Sequence, residues 1–75
     1  MHARAAAAFV RLAEQFNVVI DVERNEKKVS GVSIMGLMML GAAKGEKIKI
    51  TCYGIDAEQA IRALEQLINE KFYED

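Results

Sequence analysis

The segment His2-Ala3-Arg4-Ala5-Ala6-Ala7-Ala8-Phe9-Val10 opens the chain and predicts the helix around which the other elements are arranged. Alanine has the highest helix propensity, and apolar side chains recur at helical spacing through this segment and just beyond it. The pattern predicts an amphipathic helix over residues 3 to about 15 that ends near Asn17. Its predicted buried stripe consists of Ala6, Phe9, Val10, Ala13 and Phe16.

His2 is the only histidine of the chain, and it stands directly before this helix. The first backbone N–H groups of a helix have no intrahelical partner and attract anions and phosphates. An imidazole nitrogen is a competent nucleophile at neutral pH, and the Arg4 guanidinium would contact a phosphoryl group placed on it. His2 is therefore a candidate phosphate carrier, although a solvated terminal residue or a modest helix cap also explains a histidine here.

A hairpin is predicted after the first helix. Residues 18–23 are β-branched and partly alternating, which is typical of a strand. Asn25-Glu26 predicts a turn into a second, short strand over residues 27–30. Gly31 then ends the hairpin.

The second half of the chain predicts a helix, a strand and a final helix. Ser33 stands where an N-cap is expected, before a short apolar helix over residues 34 to about 42. Residues 47–53 alternate apolar and polar side chains and predict a strand. Asp56, with Gln59 three residues later, predicts a capped start for the final helix. The predicted buried stripe of that helix consists of Ala57, Ala60, Ile61, Leu64, Leu67 and Ile68.

These elements follow the order αββαβα, and residues 1–75 are expected to form one small domain. In the last strand, Ile48, Ile50 and Cys52 share one side, while Lys47 and Lys49 lie on the other. This alternation is typical of an antiparallel sheet that is covered on one face only. The sequence therefore predicts an α+β fold, in which helices pack on one face of a three-stranded sheet and Cys52 is a core thiol.

Composition excludes several classes of function. The net charge is −1, and Lys44, Lys47 and Lys49 form only a small basic cluster, which argues against a nucleic-acid or membrane surface. The apolar run within residues 34–43 is too short to cross a bilayer. One histidine and one cysteine cannot supply a zinc site, so no metal is expected. A single cysteine also favours a reducing cytoplasm.

Three parts of the sequence together resemble one protein family. They are His2-Ala3-Arg4-Ala5-Ala6 before a helix, Ser33-Ile34-Met35-Gly36-Leu37-Met38-Met39-Leu40, and a Lys-Gly turn followed by Lys47-Ile48-Lys49-Ile50. The chain is similar in these parts, and over nearly its whole length, to the histidine-containing phosphocarrier (HPr) family of the sugar and nitrogen phosphotransferase systems. The resemblance implies an HPr-like open-faced sandwich without a cofactor. It also implies that His2 accepts a phosphoryl group from enzyme I, charged by phosphoenolpyruvate, and passes it to an enzyme IIA-type domain, as a carrier rather than an enzyme.

The helix over residues 34–40 is apolar almost all round, whereas a helix laid on a sheet needs only one buried stripe. If Leu37 and Leu40 point inward, other apolar side chains remain outside or on the flank, unless they too belong to the core. These side chains are Ile34, Met35 and Met38. Flexible methionines suit a surface that fits several partners. The resemblance implies that this is the docking patch for enzyme I and the receiver domains.

Ser33 has two interpretations at this stage. The N-cap role alone accounts for a serine before a helix. The resemblance also implies regulatory phosphorylation at Ser33 by a dedicated HPr kinase, which would set about two negative charges beside the docking patch.

Two departures from the family's pattern affect these expectations. The family's motif usually carries proline directly after the arginine, where this chain has Ala5, and a β-strand with a Gly-Leu pair precedes the histidine, where this chain has only Met1. If these departures have ended phosphotransfer, the chain is a non-catalytic regulatory or protein-interaction module of the same fold.

The absent first strand also leaves the strand over residues 47–53 with an unpaired edge. We therefore expect either a homodimer through this edge or a natural chain that is longer at its N-terminus. The closing Phe72-Tyr73-Glu74-Asp75 is slightly similar to the nitrogen-type branch, but the sequence leaves the choice between sugar and nitrogen pathways open.

Overall fold

The computed structural model of the chain describes residues 1–41 and 47–71, with side chains as far as residue 69. The predicted order αββαβα is confirmed. The elements are α1 (Ala3–Ala13), β1 (Val19–Arg24), β2 (Lys27–Ser30), α2 (Ile34–Leu40), β3 (Lys49–Tyr53) and α3 (Ala57–Lys71). The described helices pack on a three-stranded antiparallel sheet with strand order β2-β1-β3, so the predicted α+β open-faced sandwich is also confirmed.

A tight turn at Asn25 and Glu26 joins β1 to β2. Both residues have positive φ angles, 50° and 67°, which match the right-handed twist of the two strands that they connect. The strand pairing continues directly from this turn, with Arg24 opposite Lys27. The turn therefore fixes the register of β2 against β1.

The two faces of the sheet differ as the alternation predicts. Ile20 and Val22 of β1 are buried under the helices. On the opposite face, Glu23 lies between Lys28 of β2 and Lys49 of β3 in the strand register. Opposite charges on neighbouring strands attract each other, so this face is suited to water.

The core lies between the helices and the inner face of the sheet. The buried core side chains belong to α1, β1, α2 and α3. The inward residues of β2 and β3 are partly buried and pack against this core. The largest fully buried side chains are Phe9, Leu37, Leu64 and Val22. The apolar stripe predicted for α1 is confirmed for Ala6, Phe9, Val10 and Ala13, while Phe16 is half-buried.

The first helix ends earlier than the sequence predicts. After Ala13 the backbone tightens, because the N–H groups of Gln15 and Phe16 bond to carbonyls three residues back instead of four. The backbone of Asn17 is also engaged elsewhere. Its N–H donates to Oδ2 of Asp56 at 2.8 Å, and its carbonyl accepts from the Asp56 N–H at 3.5 Å.

The capped start predicted for α3 from Asp56 and Gln59 is therefore wrong in its side-chain contact. Asp56 does stand at the N-cap position, but its carboxylate binds Asn17 rather than the first turn of its own helix near Gln59. This contact holds the start of α3 against the connection between α1 and β1. Gly54 makes the approach feasible: its φ is +133°, and a Cβ there would lie 2.8 Å from the Asn17 carbonyl oxygen.

The other boundaries differ by a few residues. Helix α2 ends at Leu40, because Gly41 adopts the left-handed conformation (φ 75°) that stops helices. Strand β3 begins at Lys49 rather than Lys47, since its pairing with β1 starts opposite Glu23. The predicted extension of α2 to residue 42, the Lys44 part of the basic cluster and residues 72–75 lie outside the described residues.

Candidate functional site

His2 occupies the N-cap position of α1 with extended backbone angles, φ −67° and ψ 155°. Its carbonyl accepts the first helical hydrogen bond, from the Ala6 N–H at 2.9 Å. Its side chain makes no capping hydrogen bond and is exposed. The interpretation of His2 as a helix cap is therefore wrong for its side chain, and the imidazole is accessible to a partner.

The end of α1 beside His2 has the electrostatics of an anion site. The N–H groups of residues 3–5 precede the first intrahelical donor and carry the positive end of the helix dipole. The first turn contains no acidic residue that would neutralise this charge. Arg4 is exposed in the same turn, and guanidinium groups and backbone N–H groups are both donors that bind phosphate.

The helix at this site forms without the proline of the family's motif. Ala5 takes that position and is buried, with 8% of its surface exposed. Helix α1 nevertheless begins at Ala3. Proline in a first turn is favourable because its φ is already set, but it is not required for the helix to start.

Helix α2 has the two sides that its sequence predicts. Leu37 and Leu40 are buried, with 0% and 2% of their surface exposed. Ile34, Met35 and Met38 point outward, with exposed fractions of 41%, 73% and 43%. The placement of these five side chains is thus confirmed, and most of the outward face of α2 is apolar.

Sequence reasoning missed two members of this surface. Met39 is 75% exposed and Val32, just before the helix, is 49% exposed. The signal for Met39 was available, because it lies four residues after Met35 and therefore on the same side of the helix. We call the exposed side chains of Val32, Ile34, Met35, Met38 and Met39 the methionine surface.

Ser33 caps α2 as predicted. Its Oγ accepts a hydrogen bond from the Gly36 N–H at 3.0 Å, and its carbonyl accepts from the Leu37 N–H. The side chain is half-buried at the edge of the methionine surface. A charged group added to this hydroxyl would stand beside Ile34 and Met35, which are next in the chain.

Arg24, at the end of β1, was also missed by sequence reasoning. Its Nη1 donates a 3.0 Å hydrogen bond to the carbonyl of Leu40, one of the last carbonyls of α2. A cation at a helix C-terminus is favourable because it faces the negative end of the dipole. The Arg24 hydrogen bond therefore connects the end of β1 to the C-terminus of α2, the helix that carries most of the methionine surface.

We expect Arg24→Met to lower the free energy of unfolding by about 1–2 kcal/mol, because the aliphatic stem remains while the charged donor to Leu40 is lost. Arg62→Met is the control. Its 3.4 Å ion pair with Glu58 is exposed, and such pairs contribute little. Urea unfolding followed by circular dichroism measures both changes, and equal changes in the two variants would contradict a special role for Arg24.

Cys52 lies on the inner face of β3 as predicted, but at the border of the core and not inside it. It is half-buried and packs against the core, and burial raises the pKa of its thiol. A raised pKa leaves less reactive thiolate at neutral pH. Among the residues that the structure describes, no three His, Cys, Asp or Glu side chains are grouped so as to hold a metal ion. No helix within those residues has both the length and the apolar character that crossing a membrane requires.

Comparison with known proteins agrees with this geometry. The family model described as "PTS HPr component phosphorylation site" matches residues 1–70. The phosphocarrier protein HPr of Neisseria meningitidis serogroup A is 49% identical over 74 residues, covering 99% of this chain and 83% of that protein. The phosphocarrier protein NPr of Shewanella violacea is 39% identical over 74 residues, covering 99% of this chain and 81% of that protein.

Solved structures give the same result. An HPr dimer from Thermoanaerobacter tengcongensis has a TM-score of 0.87 at 49% identity, covering 96% of this chain and 83% of that one. Crh, the catabolite repression containing protein of Bacillus subtilis, has a TM-score of 0.89 at 35% identity, covering 95% of this chain and 82% of that one, and is described as a dimer with a swapping domain. On this evidence the chain belongs to the HPr family of phosphocarrier proteins of the phosphotransferase system.

Proposed function

We propose that His2 is the residue on which this chain carries the phosphoryl group. In the accepting step, phosphorylated enzyme I is the donor, and an imidazole nitrogen of His2 attacks its phosphorus. A P–N bond forms on His2 while the bond between phosphorus and enzyme I breaks. The second step reverses the roles, and the group moves to a histidine of an enzyme IIA-type domain. The exposed imidazole at an uncompensated helix N-terminus is the observation that carries this proposal.

The groups around His2 suit a carrier rather than an enzyme that turns over alone. The chain supplies the nucleophile, the N–H groups of the first turn of α1 and the Arg4 guanidinium, while the donor and the acceptor supply the remaining catalytic groups. An exposed site can be enclosed by either partner in turn. The chemistry needs no metal or cofactor held by this chain.

Enzyme I and the enzyme IIA-type domains are the partners that we propose for the methionine surface. Met35 and Met39 are mostly exposed, and flexible thioether side chains can repack against differently shaped partners. The cytoplasm is the compartment that we propose, because the free thiol of Cys52 suits a reducing environment.

Regulation at Ser33 by an HPr kinase is a further part of the proposal. Its Oγ already faces the Gly36 N–H at the start of α2, where negative charge is tolerated. About two negative charges beside Ile34 and Met35 would oppose apolar docking and repel an acidic partner. Phosphorylation there would therefore weaken docking without unfolding α2.

The second candidate function is a non-catalytic regulatory or interaction module, and the likeness to Crh, which is described as a catabolite repression protein, favours it. The two functions differ in one observable. Incubation of the chain with enzyme I and phosphoenolpyruvate, followed by intact-mass analysis, should show the added mass of one phosphoryl group if the chain is a carrier. An unchanged mass, with docking to enzyme I preserved, would favour the regulatory module.

We expect Arg4→Ala to slow phosphoryl transfer about 10- to 100-fold without abolishing it, because one charge-assisted contact is lost while the N–H groups of the helix remain. Arg11→Ala is the matched control, since Arg11 is also exposed but lies in the last turn of the same helix. Rapid-quench transfer from phosphorylated enzyme I measures the rates. Equal rates for Arg4→Ala and the parent chain would mean that Arg4 takes no part.

A second copy of the chain is the remaining partner that we propose. Two solved relatives are described as dimers. In the described residues, β3 lies at one edge of the sheet.

A further inference from the structure

Helix α2 is short and depends on contacts with the rest of the fold. It has seven residues, and an isolated helix of this length is marginal in water. At its start, the Ser33 hydroxyl accepts a hydrogen bond from the Gly36 N–H at 3.0 Å. Its last turn contains no basic side chain that would face the negative end of the helix dipole. A cation at this end therefore belongs to another part of the chain.

Arg24, the last residue of β1, supplies a cation to this end of α2. Its Nη1 donates to the Leu40 carbonyl at 3.0 Å in a partly buried setting, where a hydrogen bond is stronger than in water. Gly41 follows in the left-handed conformation, and its N–H donates to the Met38 carbonyl at 3.3 Å. These two bonds satisfy carbonyls that the regular helix leaves without a partner.

The last turn of α2 also carries part of the methionine surface. Met38 and Met39 are 43% and 75% exposed, and they directly precede Leu40. The buried side chains of Leu37 and Leu40 decide which side of α2 faces the core, but apolar packing is not directional. A hydrogen bond is directional, so the contact from Arg24 defines where the last turn lies.

We propose that Arg24 is a positioning residue for docking. Through the Leu40 carbonyl it holds the last turn of α2, so that Met38 and Met39 meet enzyme I in one preformed arrangement. Enzyme I then does not have to order this turn when it binds, and binding without that cost is tighter. The proposal rests on the docking of enzyme I to the methionine surface proposed above. It leaves the chemistry at His2 unchanged, because His2 precedes a different helix.

Arg24→Met keeps an aliphatic side chain and removes the donor. We expect the dissociation constant for enzyme I, measured by calorimetric titration, to rise about tenfold, as if the last turn were ordered in about one chain in ten. The KM for phosphoryl transfer from phosphorylated enzyme I should rise in parallel while kcat stays the same, because His2 and α1 are unaltered. Arg24→Lys keeps a cationic donor and should bind within about threefold of the parent chain.

Two control variants separate positioning from charge and from stability. Lys27→Met removes a positive charge at the exposed residue opposite Arg24 in the hairpin. Asp56→Ala removes the 2.8 Å hydrogen bond to the Asn17 N–H, which lies beyond the other end of β1, so it destabilises the fold away from α2. Both variants should keep the affinity of the parent chain. Thermal unfolding of each variant sets the temperature below which all are folded, and the titrations are made there.

Amide hydrogen exchange reports the last turn directly. In Arg24→Met the Gly41 N–H, which donates to the Met38 carbonyl, should exchange about tenfold faster than in the parent chain. The Leu37 N–H, which donates to the Ser33 carbonyl at the start of the helix, should keep its rate.

Several results would overturn the positioning role. They are equal binding of Arg24→Met and the parent chain, a fall in kcat without a rise in KM, and a loss of affinity in Lys27→Met or Asp56→Ala as large as in Arg24→Met. Unchanged exchange of the Gly41 N–H would also overturn it. A parent chain that does not bind enzyme I would contradict the proposed docking function, and this proposal with it.

Discussion

A His2→Ala chain is expected to gain no phosphoryl group when it is incubated with enzyme I and phosphoenolpyruvate. The substitution removes the imidazole nitrogen that forms the P–N bond, while the anion-binding end of α1 remains. An anion site without a nucleophile binds phosphate but cannot hold it covalently. Intact mass before and after mild acid treatment measures the effect, since phosphohistidine is acid-labile.

The fold should survive this change. The His2 side chain is exposed and makes no capping bond, so we expect the free energy of unfolding to fall by at most about 1 kcal/mol. Ser33→Ala is the control for the site of modification, because it removes the other candidate phosphate acceptor and should leave acceptance from enzyme I intact. If the His2→Ala chain still gained acid-labile phosphate, His2 would not be the residue that accepts the phosphoryl group.

Local patterns predicted most of the fold because they report local physics. The helical spacing from Ala6 to Ala13 and the alternation in β3 each describe one face of one element, and both faces are found where predicted. The turn at Asn25 and Glu26 was predicted from two residues whose positive φ angles set the register of the hairpin. These features depend on neighbours within a few positions in the chain.

Two of the errors involve contacts between distant parts of the chain. Asp56 was expected to cap its own helix, but it binds Asn17, which is 39 positions away. The bond from Arg24 to the Leu40 carbonyl spans 16 positions and carries no signal in the periodicity. A sequence pattern shows that a group needs a partner, but it does not show which of several distant partners the fold brings near.

The sequence predicted the positions of the candidate site residues better than it predicted their roles. His2 at a helix N-terminus followed from the residues alone, and the outward face of α2 followed from its excess of apolar positions. The phosphate contact given to Arg4 followed from its place in the first turn, whereas the phosphorylation of Ser33 came from the family resemblance, and both stay predictions. Chemistry at an exposed site is shared with partners, so one chain alone specifies only part of it.

A negative charge introduced into the methionine surface should weaken its binding to enzyme I. We expect Met35→Glu or Met38→Glu to weaken binding of enzyme I by about two orders of magnitude, because a carboxylate would have to be desolvated in an apolar interface. The melting temperature should change little, since 73% and 43% of these side chains are exposed in the free chain. Calorimetric titration with enzyme I and thermal unfolding measure the two quantities.

Two controls separate docking from folding. Ile55→Glu charges another apolar side chain, 81% exposed, that lies outside the methionine surface, so it should affect neither binding nor stability. Leu37→Ala lies on the same helix as the methionines but removes a fully buried side chain, and it should lower stability by about 2–5 kcal/mol. If Met35→Glu destabilises the chain as Leu37→Ala does, the methionines serve the core. If Ile55→Glu weakens binding as much as Met35→Glu, enzyme I recognises general charge and not this surface.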